Sequence, residues 1–352
     1  LTIFFAFLPP LIQVLAFGFA IKTDVKHTPA VLLNQDGRQA SRELVSKIEN
    51  TQYIDIIREV KSEKEMMSAL TRGEVYVGIK IPPDYSNNLA TGKSATFLTL
   101  IDGSNNTLAS QALNVSNNVA FMSSLEQLTR QSGTSMKNLP IESRPKVLYN
   151  PDLRSENFFV PGVIGVALQL VTTFLTAFAI VRERERGTLE QLMVTPLSRF
   201  GLLLGKMIPY ILLAWAEAMF LFWVLVVVFK VPIAGSFLLL MLLTTLFIFV
   251  NLSIGLLIST KATSQVQAVQ MSMVTLLPSV FLSGFIFPRF TMPWIFYSIS
   301  SLLPATYYMN ILRGIILRSA SLEDLSKDVL ILSGMGLFLF LAAMARFKKK
   351  LS

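Results

Sequence analysis

The side chains that carry out most enzyme chemistry are nearly absent from this sequence. It contains no cysteine and a single histidine, His27, which excludes disulfides, Cys-ligated zinc, iron–sulfur clusters and thiol nucleophiles. Multi-histidine metal sites and most histidine-based catalysis are excluded as well. Gly201, Gly205 and Lys206 suggest a phosphate-binding loop, but such a loop needs four residues between its glycines and Ser or Thr after its lysine. This chain has three residues there and Met207 after the lysine, so the sequence predicts no catalytic group, metal site or nucleotide site.

One hydrophilic segment, residues 181–199, has the residue types of a protein-docking element. Its charges alternate in sign as far as Gly187, and Thr188 can then cap a short amphipathic helix that Pro196 ends. The alternative is a set of ordinary basic residues flanking a membrane span. That alternative explains the arginines but not the acidic residues of the segment: Glu183, Glu185 and Glu190. The pattern favours a short helix that displays charged and apolar groups to a partner.

Three polar residues inside apolar runs are candidates for a substrate pathway: Glu217, Asn251 and Gln270. An ionisable group at membrane depth is costly and marks a functional candidate. Glu217 would bind a cationic substrate, take up a proton or pair across a dimer, and the alternative is a protonated or hydrogen-bonded structural glutamate. For Asn251 and the nearby Ser253, hydrogen bonds between helices are favoured over ligand binding. For Gln270, packing or interfacial solvation is favoured over lining an entrance.

The elements that must position these groups are membrane helices, because the apolar residues are strongly segregated. Hydrophobic residues make up 52% of the 352 residues and charged residues 15%, whereas soluble domains carry about 25% charged residues. A helix of about 20 apolar residues crosses about 30 Å of hydrocarbon. Six apolar runs are that long or nearly so: residues 1–21, 158–181, 207–229, 231–260, 262–288 and 329–345. A cleaved signal peptide is the alternative for residues 1–21, but Pro9 and Pro10 interrupt its apolar core.

The positions of Lys and Arg predict the orientation of these spans. The loop at 182–206, Lys261 and the tail after residue 345 hold ten basic residues, and the short segments on the other side hold five. The richer side faces the cytoplasm, which places both termini inside and residues 22–156 outside. The net charge of +9 therefore reports topology and gives no reason to expect nucleic-acid binding.

Residues 22–156 are polar and alternate between strand-like and helix-like patterns. Strands are predicted at 30–34, 53–60, 75–81 and 95–102, and helices at 39–50 and 106–129. Ser62 and Glu65 form a capping box that opens another helix, which ends before Gly73. This order predicts a small α/β domain with a mixed or parallel sheet. A docking surface, a substrate vestibule and a simple cap remain equally open as its role.

The chain near the fifth apolar run carries the signals of a helix end and a hairpin. A proline kink followed by Ser-Gly predicts that the helix stops, and the proline-rich run at about 287–318 suits a re-entrant hairpin in the outer leaflet that forms a gate. The gate candidates are Pro278, Ser283, Gly284, Pro288, Pro293 and Pro304. Four aromatic residues are predicted as interfacial anchors: Trp294, Tyr297, Tyr307 and Tyr308.

The run from Glu183 to Leu192, followed by Thr195 and Pro196, closely resembles the cytoplasmic coupling segment of ABC-2 type transporter permeases. Further motifs similar to this family's follow one another in order along nearly the whole chain: Asn150-Pro151, Pro161-Gly162, Gly205-Lys206, Ser283-Gly284, Pro293-Trp294, Leu303-Pro304 and Arg313-Gly314. The long polar domain after the first span is similar to the multidrug-type bacterial branch. In this family an amphipathic elbow helix precedes the first span, and we expect such a segment ahead of Leu1.

The resemblance implies an α-helical polytopic membrane protein of the type V exporter kind, with six transmembrane helices and an inserted α/β extracytoplasmic domain. The first helix would lie at 1–21, the domain at 22–156, helices two to six at 157–346 and a cytoplasmic tail at 347–352. The coupling segment would lie at 182–199. Its predicted residues are Glu183, Arg184, Glu185, Arg186, Gly187, Thr188, Leu189, Glu190, Gln191 and Leu192.

The resemblance also implies how such a chain would work. It would pair with a second permease copy or a homologous permease, in contact with membrane lipids and with a periplasmic adaptor protein as a further partner. A separate ABC ATP-binding subunit would bind ATP and Mg, so this chain would hold no cofactor and would not itself be an enzyme. We expect efflux of drugs or other amphipathic small molecules across the bacterial inner membrane by alternating access. Export of a lipid-linked or polymeric envelope component is the alternative within transport, and a membrane-anchored binding module is the alternative outside it.

Overall fold

The computed structural model describes residues 25–130, 140–187 and 199–346. The chain divides into two compact units, with the division between Phe158 and Phe159. We call the first the sheet unit and the second the helical unit. The predicted first span at 1–21, the predicted tail at 347–352 and the coupling residues from Thr188 to Leu192 lie outside the described residues.

The sheet unit contains a five-stranded mixed sheet with the strand order β2-β1-β3-β4-β5. Its strands are β1 (Thr28–Asn34), β2 (Ile54–Glu59), β3 (Val77–Ile81), β4 (Ala95–Asp102) and β5 (Ile141–Leu148). Strand β1 runs parallel to β2 and β3, β3 and β4 are antiparallel, and β4 and β5 are parallel. The mixed α/β arrangement predicted from the sequence is therefore present, with one additional strand, β5.

Helices cover both faces of this sheet because alternate strand residues point to opposite sides. The helices are α1 (Gln39–Asn50), α2 (Glu63–Arg72), α3 (Tyr85–Ala90) and α4 (Asn106–Arg130). On one face Leu32 and Phe97 share a core with α1 and α4, while on the other Val31 and Leu33 share a core with α2. Half of the predicted capping box is present, since the Ser62 hydroxyl accepts the backbone N–H of Glu65 at 3.2 Å. The Glu65 carboxylate accepts the backbone N–H of Lys61 at 3.2 Å, where a capping box would use that of Ser62.

Within its described residues, the helical unit contains five helices long and apolar enough to cross a membrane. They are α5 (Ser155–Glu185), α6 (Arg199–Val227), α7 (Phe237–Lys261), α8 (Gln265–Leu282) and α11 (Ser326–Arg346). Between α8 and α11 lie a 3-10 turn (Arg289–Thr291) and two shorter helices, α9 (Trp294–Ser301) and α10 (Pro304–Ile316). The remaining predicted span, the first along the chain, falls on residues 1–21 outside the described residues, so the total of six spans stays a prediction.

Helix α10 is buried along nearly its whole length against α7 and α11. Tyr308 is fully buried, stacks on Phe247 with ring centroids 3.9 Å apart, and shares a hydrogen bond of 2.8 Å with Thr244. Tyr307 is also buried, and its hydroxyl donates to the Ser301 carbonyl at 2.7 Å. The prediction that these two tyrosines anchor the hairpin at a membrane interface is therefore wrong, because both rings pack inside the protein. Trp294 and Tyr297 of α9 are exposed, as an interfacial position requires.

Helices α5 and α7 approach closely at Gly255 of α7. A Cβ atom at this position would lie 2.8 Å from the backbone oxygen of Thr173 and 2.8 Å from the Cβ of Thr176. Both atoms belong to the body of α5 and cannot swing away as the end of a long side chain could. Small residues at such crossings let membrane helices pack backbone to backbone, so Gly255 fixes the distance between α5 and α7.

Candidate functional site

The predicted coupling segment begins at the end of α5, where two consecutive charged side chains bond to other helices. Glu183 forms an ion pair with Lys206 of α6, and the Lys206 side chain is only 13% exposed. The Arg184 guanidinium donates to the backbone carbonyl of Ala262 at 2.9 Å. Ala262 is the residue that ends α7, so these two contacts tie the end of α5 to α6 and α7.

The next residue, Glu185, ties the same point to α8. Its carboxylate accepts the backbone N–H of Gln265 at 2.9 Å and also accepts a hydrogen bond from the Gln265 side chain. Gln265 is the first residue of α8. Ser264 caps the start of this helix, because its hydroxyl accepts the backbone N–H of Gln267. Free N–H groups and a partial positive charge mark a helix start, which suits the Glu185 carboxylate. We call the contacts of residues 183, 184 and 185 the 183–185 clamp.

The 183–185 clamp gives three of the predicted coupling residues a role inside this chain that the sequence did not predict. The charges of the segment were expected to face a partner protein, yet Glu183, Arg184 and Glu185 bond within this chain. Arg186 is exposed, and Gly187 ends the helix in the left-handed conformation at φ 72°. The remaining predicted coupling residues lie outside the described residues. The described part of the segment is therefore held by three helices, while the side chains of Arg182, Glu185 and Arg186 are exposed and accessible to a partner.

The three predicted pathway residues lie on three different helices. Glu217 is half-buried on α6, and its Oε2 atom is shielded from solvent without a hydrogen-bond partner among the described residues. Asn251 is fully buried on α7, where its Nδ2 donates to the Phe247 carbonyl of the same helix at 2.8 Å. Gln270 is half-buried on α8.

Among the described residues, the side chains of Asn251 and Ser253 do not donate to another helix, so the hydrogen bonds expected between helices are not seen there. Both side chains donate to carbonyls four residues earlier in α7. The bond between helices at this point comes instead from Thr173 of α5, whose hydroxyl donates to the backbone carbonyl of Asn251 at 3.5 Å. Serine, threonine and asparagine in membrane helices often satisfy themselves in this way on their own backbone.

At its other end, α8 stops where Ser-Gly predicted it would. Ser283 ends the helix and is buried, and Gly284 follows with φ 85°. The Arg313 guanidinium of α10 donates to the carbonyl of Gly284 and to that of Phe285, both at 2.9 Å. We call these two bonds the Arg313 clamp. It places a fixed positive charge at the helix end where the macrodipole is negative.

The residue after this turn packs against α5. A Cβ atom on Gly162 would lie 2.1 Å from the Phe285 ring, and Phe285 also meets Phe159 edge to face at 6.4 Å. The prolines among the gate candidates lie in four different elements or element starts. Pro278 lies inside α8, Pro288 precedes the 3-10 turn, Pro293 precedes α9 and Pro304 is the first residue of α10.

Sequence reasoning missed the partners that hold both ends of α8. No contact was predicted for Lys206 or Gln265 at one end or for Arg313 at the other, although Lys206 and Arg313 were both noted as parts of motifs. A signal existed for Arg313, which is a lone charge in the amphipathic run of α10. In the described parts of the chain, no group of three or more His, Asp or Glu side chains is placed to hold a metal ion.

Comparison with known proteins gives consistent matches over most of the chain. The profile of the family described as "ABC-2 family transporter protein" matches residues 1–345. The "Probable multidrug ABC transporter permease YbhR" of Escherichia coli (strain K12) is 27% identical over 90% of this chain and 85% of that protein. The "Probable multidrug ABC transporter permease YbhS" of the same organism is 29% identical over 88% of this chain and 81% of that protein. The "Inner membrane transport permease YhhJ", also from this organism, is 27% identical over 91% of this chain and 85% of that protein.

Proposed function

Because the chain belongs to the ABC-2 family of transporter proteins, we propose that it is the membrane-spanning subunit of an ATP-driven exporter of drugs or other amphipathic small molecules. In this proposal a second permease chain completes the pathway, and a separate ATP-binding subunit docks on the cytoplasmic segment at 182–199. The absence of cysteine and the single histidine accord with chemistry that takes place on another chain.

The observation that carries the proposal is the 183–185 clamp. A docking segment can transmit force only if its base is fixed to the helices that must move. Here three consecutive side chains join the base of the segment to α6, α7 and α8. A push on residues beyond Gly187 would therefore reach these three helices together instead of bending a loose loop.

Helix α8 gives this force a route across the membrane. It has 18 residues and is therefore about 27 Å long. Glu185 holds its first residue, and the Arg313 clamp holds the turn after its last residue. Phe285, next to that turn, packs on Gly162 of α5. We propose that movement of the coupling segment shifts α8 and so opens or closes the predicted gate between α8 and α10.

The experiment tests the complex and the route separately. The permease is co-expressed with its ATP-binding subunit, and assembly, ATP hydrolysis and transport are measured. We expect the Glu185→Ala variant to assemble normally but to lose substrate-stimulated hydrolysis and transport several-fold, because α8 is released from the segment. Glu156→Ala, at the opposite end of α5, is the matched control and should behave as wild type. If no ATP-binding subunit co-purifies, the transporter proposal is wrong; if Glu185→Ala transports normally, only the route through α8 is wrong.

The alternatives make different predictions in the same system. An exporter of a lipid-linked or polymeric envelope component would show hydrolysis stimulated by that component and not by small amphipathic compounds. A membrane-anchored binding module would need no ATP-binding subunit at all. The multidrug relatives favour the small-molecule exporter.

A further inference from the structure

A groove of about 680 Å³ lies in the helical unit between α7, α8 and α11. Its walls are mainly apolar and include Leu257, Val274 and Phe338. None of the three predicted pathway residues lines it. Two gate candidates, Pro278 and Pro304, do line it, so the groove is separate from the pathway candidates and borders the predicted gate.

Two cations stand at one end of this groove. Lys261 is the last residue of α7 and Arg346 the last residue of α11, and both are exposed lining residues. Neither has an ion-pair partner among the described residues. No acidic residue belongs to the described lining of the groove. In the sequence, Lys348, Lys349 and Lys350 add three positive charges directly after Arg346.

The groove extends from these cations along the membrane helices for the length of a lipid chain. Along α11 the lining runs from Arg346 back to Met335, eleven residues that correspond to about 17 Å of helix. Ser279 of α8 also lines the groove. Two polar residues of the lining bond to each other, since the Gln169 side chain donates to the Ser279 hydroxyl at 2.9 Å. An apolar channel of this length with cations at one end matches an acyl chain that carries an anionic headgroup.

We propose that this groove binds an anionic membrane phospholipid, with its phosphate at Lys261 and Arg346 and an acyl chain between α8 and α11. Basic pockets between membrane helices are suited to anionic headgroups. The occupant is identified by its charge: an uncharged apolar segment such as residues 1–21 would be indifferent to the two cations. This inference does not depend on what the protein transports.

The proposal is tested on the full-length chain by native mass spectrometry in a neutral detergent. The probes are phosphatidylglycerol and phosphatidylcholine with the same acyl chains. Each cation near an anionic headgroup contributes about a fivefold factor in affinity. We therefore expect wild type to retain phosphatidylglycerol in preference, and the double variant Lys261→Gln/Arg346→Gln to bind it about 30-fold more weakly.

Two matched controls separate the charge from the groove itself. Lys230→Gln/Lys327→Gln removes the same charge from exposed residues elsewhere and should bind phosphatidylglycerol as wild type. Val274→Trp fills the groove and should abolish the preference, whereas Met273→Trp, at the neighbouring exposed position outside the lining, should leave it unchanged. Equal retention of both lipids by wild type overturns the proposal. Sensitivity to Val274→Trp without sensitivity to the two cations also overturns it, because the occupant would then be uncharged.

Discussion

The Arg313 clamp leads to a stability prediction that can be worked out from its geometry. Helix ends leave carbonyls without partners inside the helix, and here one guanidinium serves the two carbonyls that follow α8, both at 2.9 Å. A hydrogen bond from a charged donor contributes about 1.5–3 kcal/mol. Because the Arg313 side chain is only half-buried, the lower value applies to each bond. We expect Arg313→Gln to lower the free energy of unfolding by about 3 kcal/mol.

A second substitution at the same position separates charge from geometry. Arg313→Lys keeps the positive charge but offers a single ammonium group in place of the planar fork. Lysine can satisfy one of the two carbonyls well, so the expected loss is about 1.5 kcal/mol. A change of 1 kcal/mol shifts Tm by about 2–4 °C for a unit of this size. The expected decreases are therefore about 6–12 °C for Arg313→Gln and about half of that for Arg313→Lys.

The sequence itself provides the probe for this measurement. All three tryptophans, Trp215, Trp223 and Trp294, lie in the helical unit, so tryptophan fluorescence during heating follows that unit. Thiol-reactive dyes would not work, because the chain contains no cysteine. Lys230→Gln, which removes an exposed cation from the turn before α7, should leave Tm nearly unchanged. If Arg313→Gln melts within about 2 °C of wild type, the two bonds do not hold the end of α8 and the reasoning fails.

Three further predictions concern other parts of the molecule. Gly255→Ala should lower the free energy of unfolding by about 1–3 kcal/mol, because the added methyl group forces α5 away from α7. Gly334→Ala, with open space around its Cβ position, should leave the free energy of unfolding unchanged or raise it by up to about 1 kcal/mol. Thermal melts in which Gly255→Ala is as stable as Gly334→Ala would contradict this packing. Glu217→Gln should leave assembly intact and change substrate-stimulated ATP turnover, and unchanged transport of several substrates would make Glu217 structural. Desolvation opposes ionisation of Asp36, but hydrogen bonds from Ser86 outweigh it and hold the Asp36 pKa below its usual value. Ionised Asp36 therefore stabilises the sheet unit above about pH 4, and this contribution disappears as the pH falls through its folded-state pKa. Asp36→Asn should accordingly flatten the acid side of the stability curve of the full chain, measured by protease resistance.

Much of the local structure follows from signals that lie close together in the sequence. The helix at 39–50 and the strand at 95–102 have the bounds that their periodicity predicted. The helix cap at Ser62 and the end of α8 at Gly284 are likewise where the residues indicated. In each case the cause is local: a hydroxyl caps an N–H three residues away, or a glycine adopts positive φ at no steric cost.

Other elements escaped prediction because their local signal is weak. Strand β5 has three polar residues in succession, Glu142, Ser143 and Arg144, so it lacks the alternation of a strand, and it contains Pro145, which argues against a strand inside a sheet. Pro145 is nevertheless compatible with β5, because this strand pairs with β4 alone and lies at the edge of the sheet. Helix α3 has only six residues and no side-chain cap. Both elements are positioned by neighbours far away in the sequence.

The contacts that hold the candidate site are of the same long-range kind. Glu185 and Gln265 are 80 residues apart, and Arg313 lies 29 residues from Gly284. In the sequence, each of these residues looks like a charge that flanks a membrane span or a residue at a helix end. Only the packing of α5, α8 and α10 brings the bonded pairs together. The burial of Tyr308 was missed for a similar reason, since an aromatic residue near a membrane surface has the same local pattern whether it anchors or packs.

Crosslinking directly tests the proposal that a separate ATP-binding subunit docks on the segment after the 183–185 clamp. Because the chain has no cysteine, Glu190→Cys introduces a unique thiol that can carry a photoreactive crosslinker in the co-expressed complex. We expect an adduct between the permease and the ATP-binding subunit from Glu190→Cys, and none from Lys327→Cys, which is predicted to lie on the opposite side of the membrane. No adduct from Glu190→Cys, or equal adducts from both positions, would contradict it.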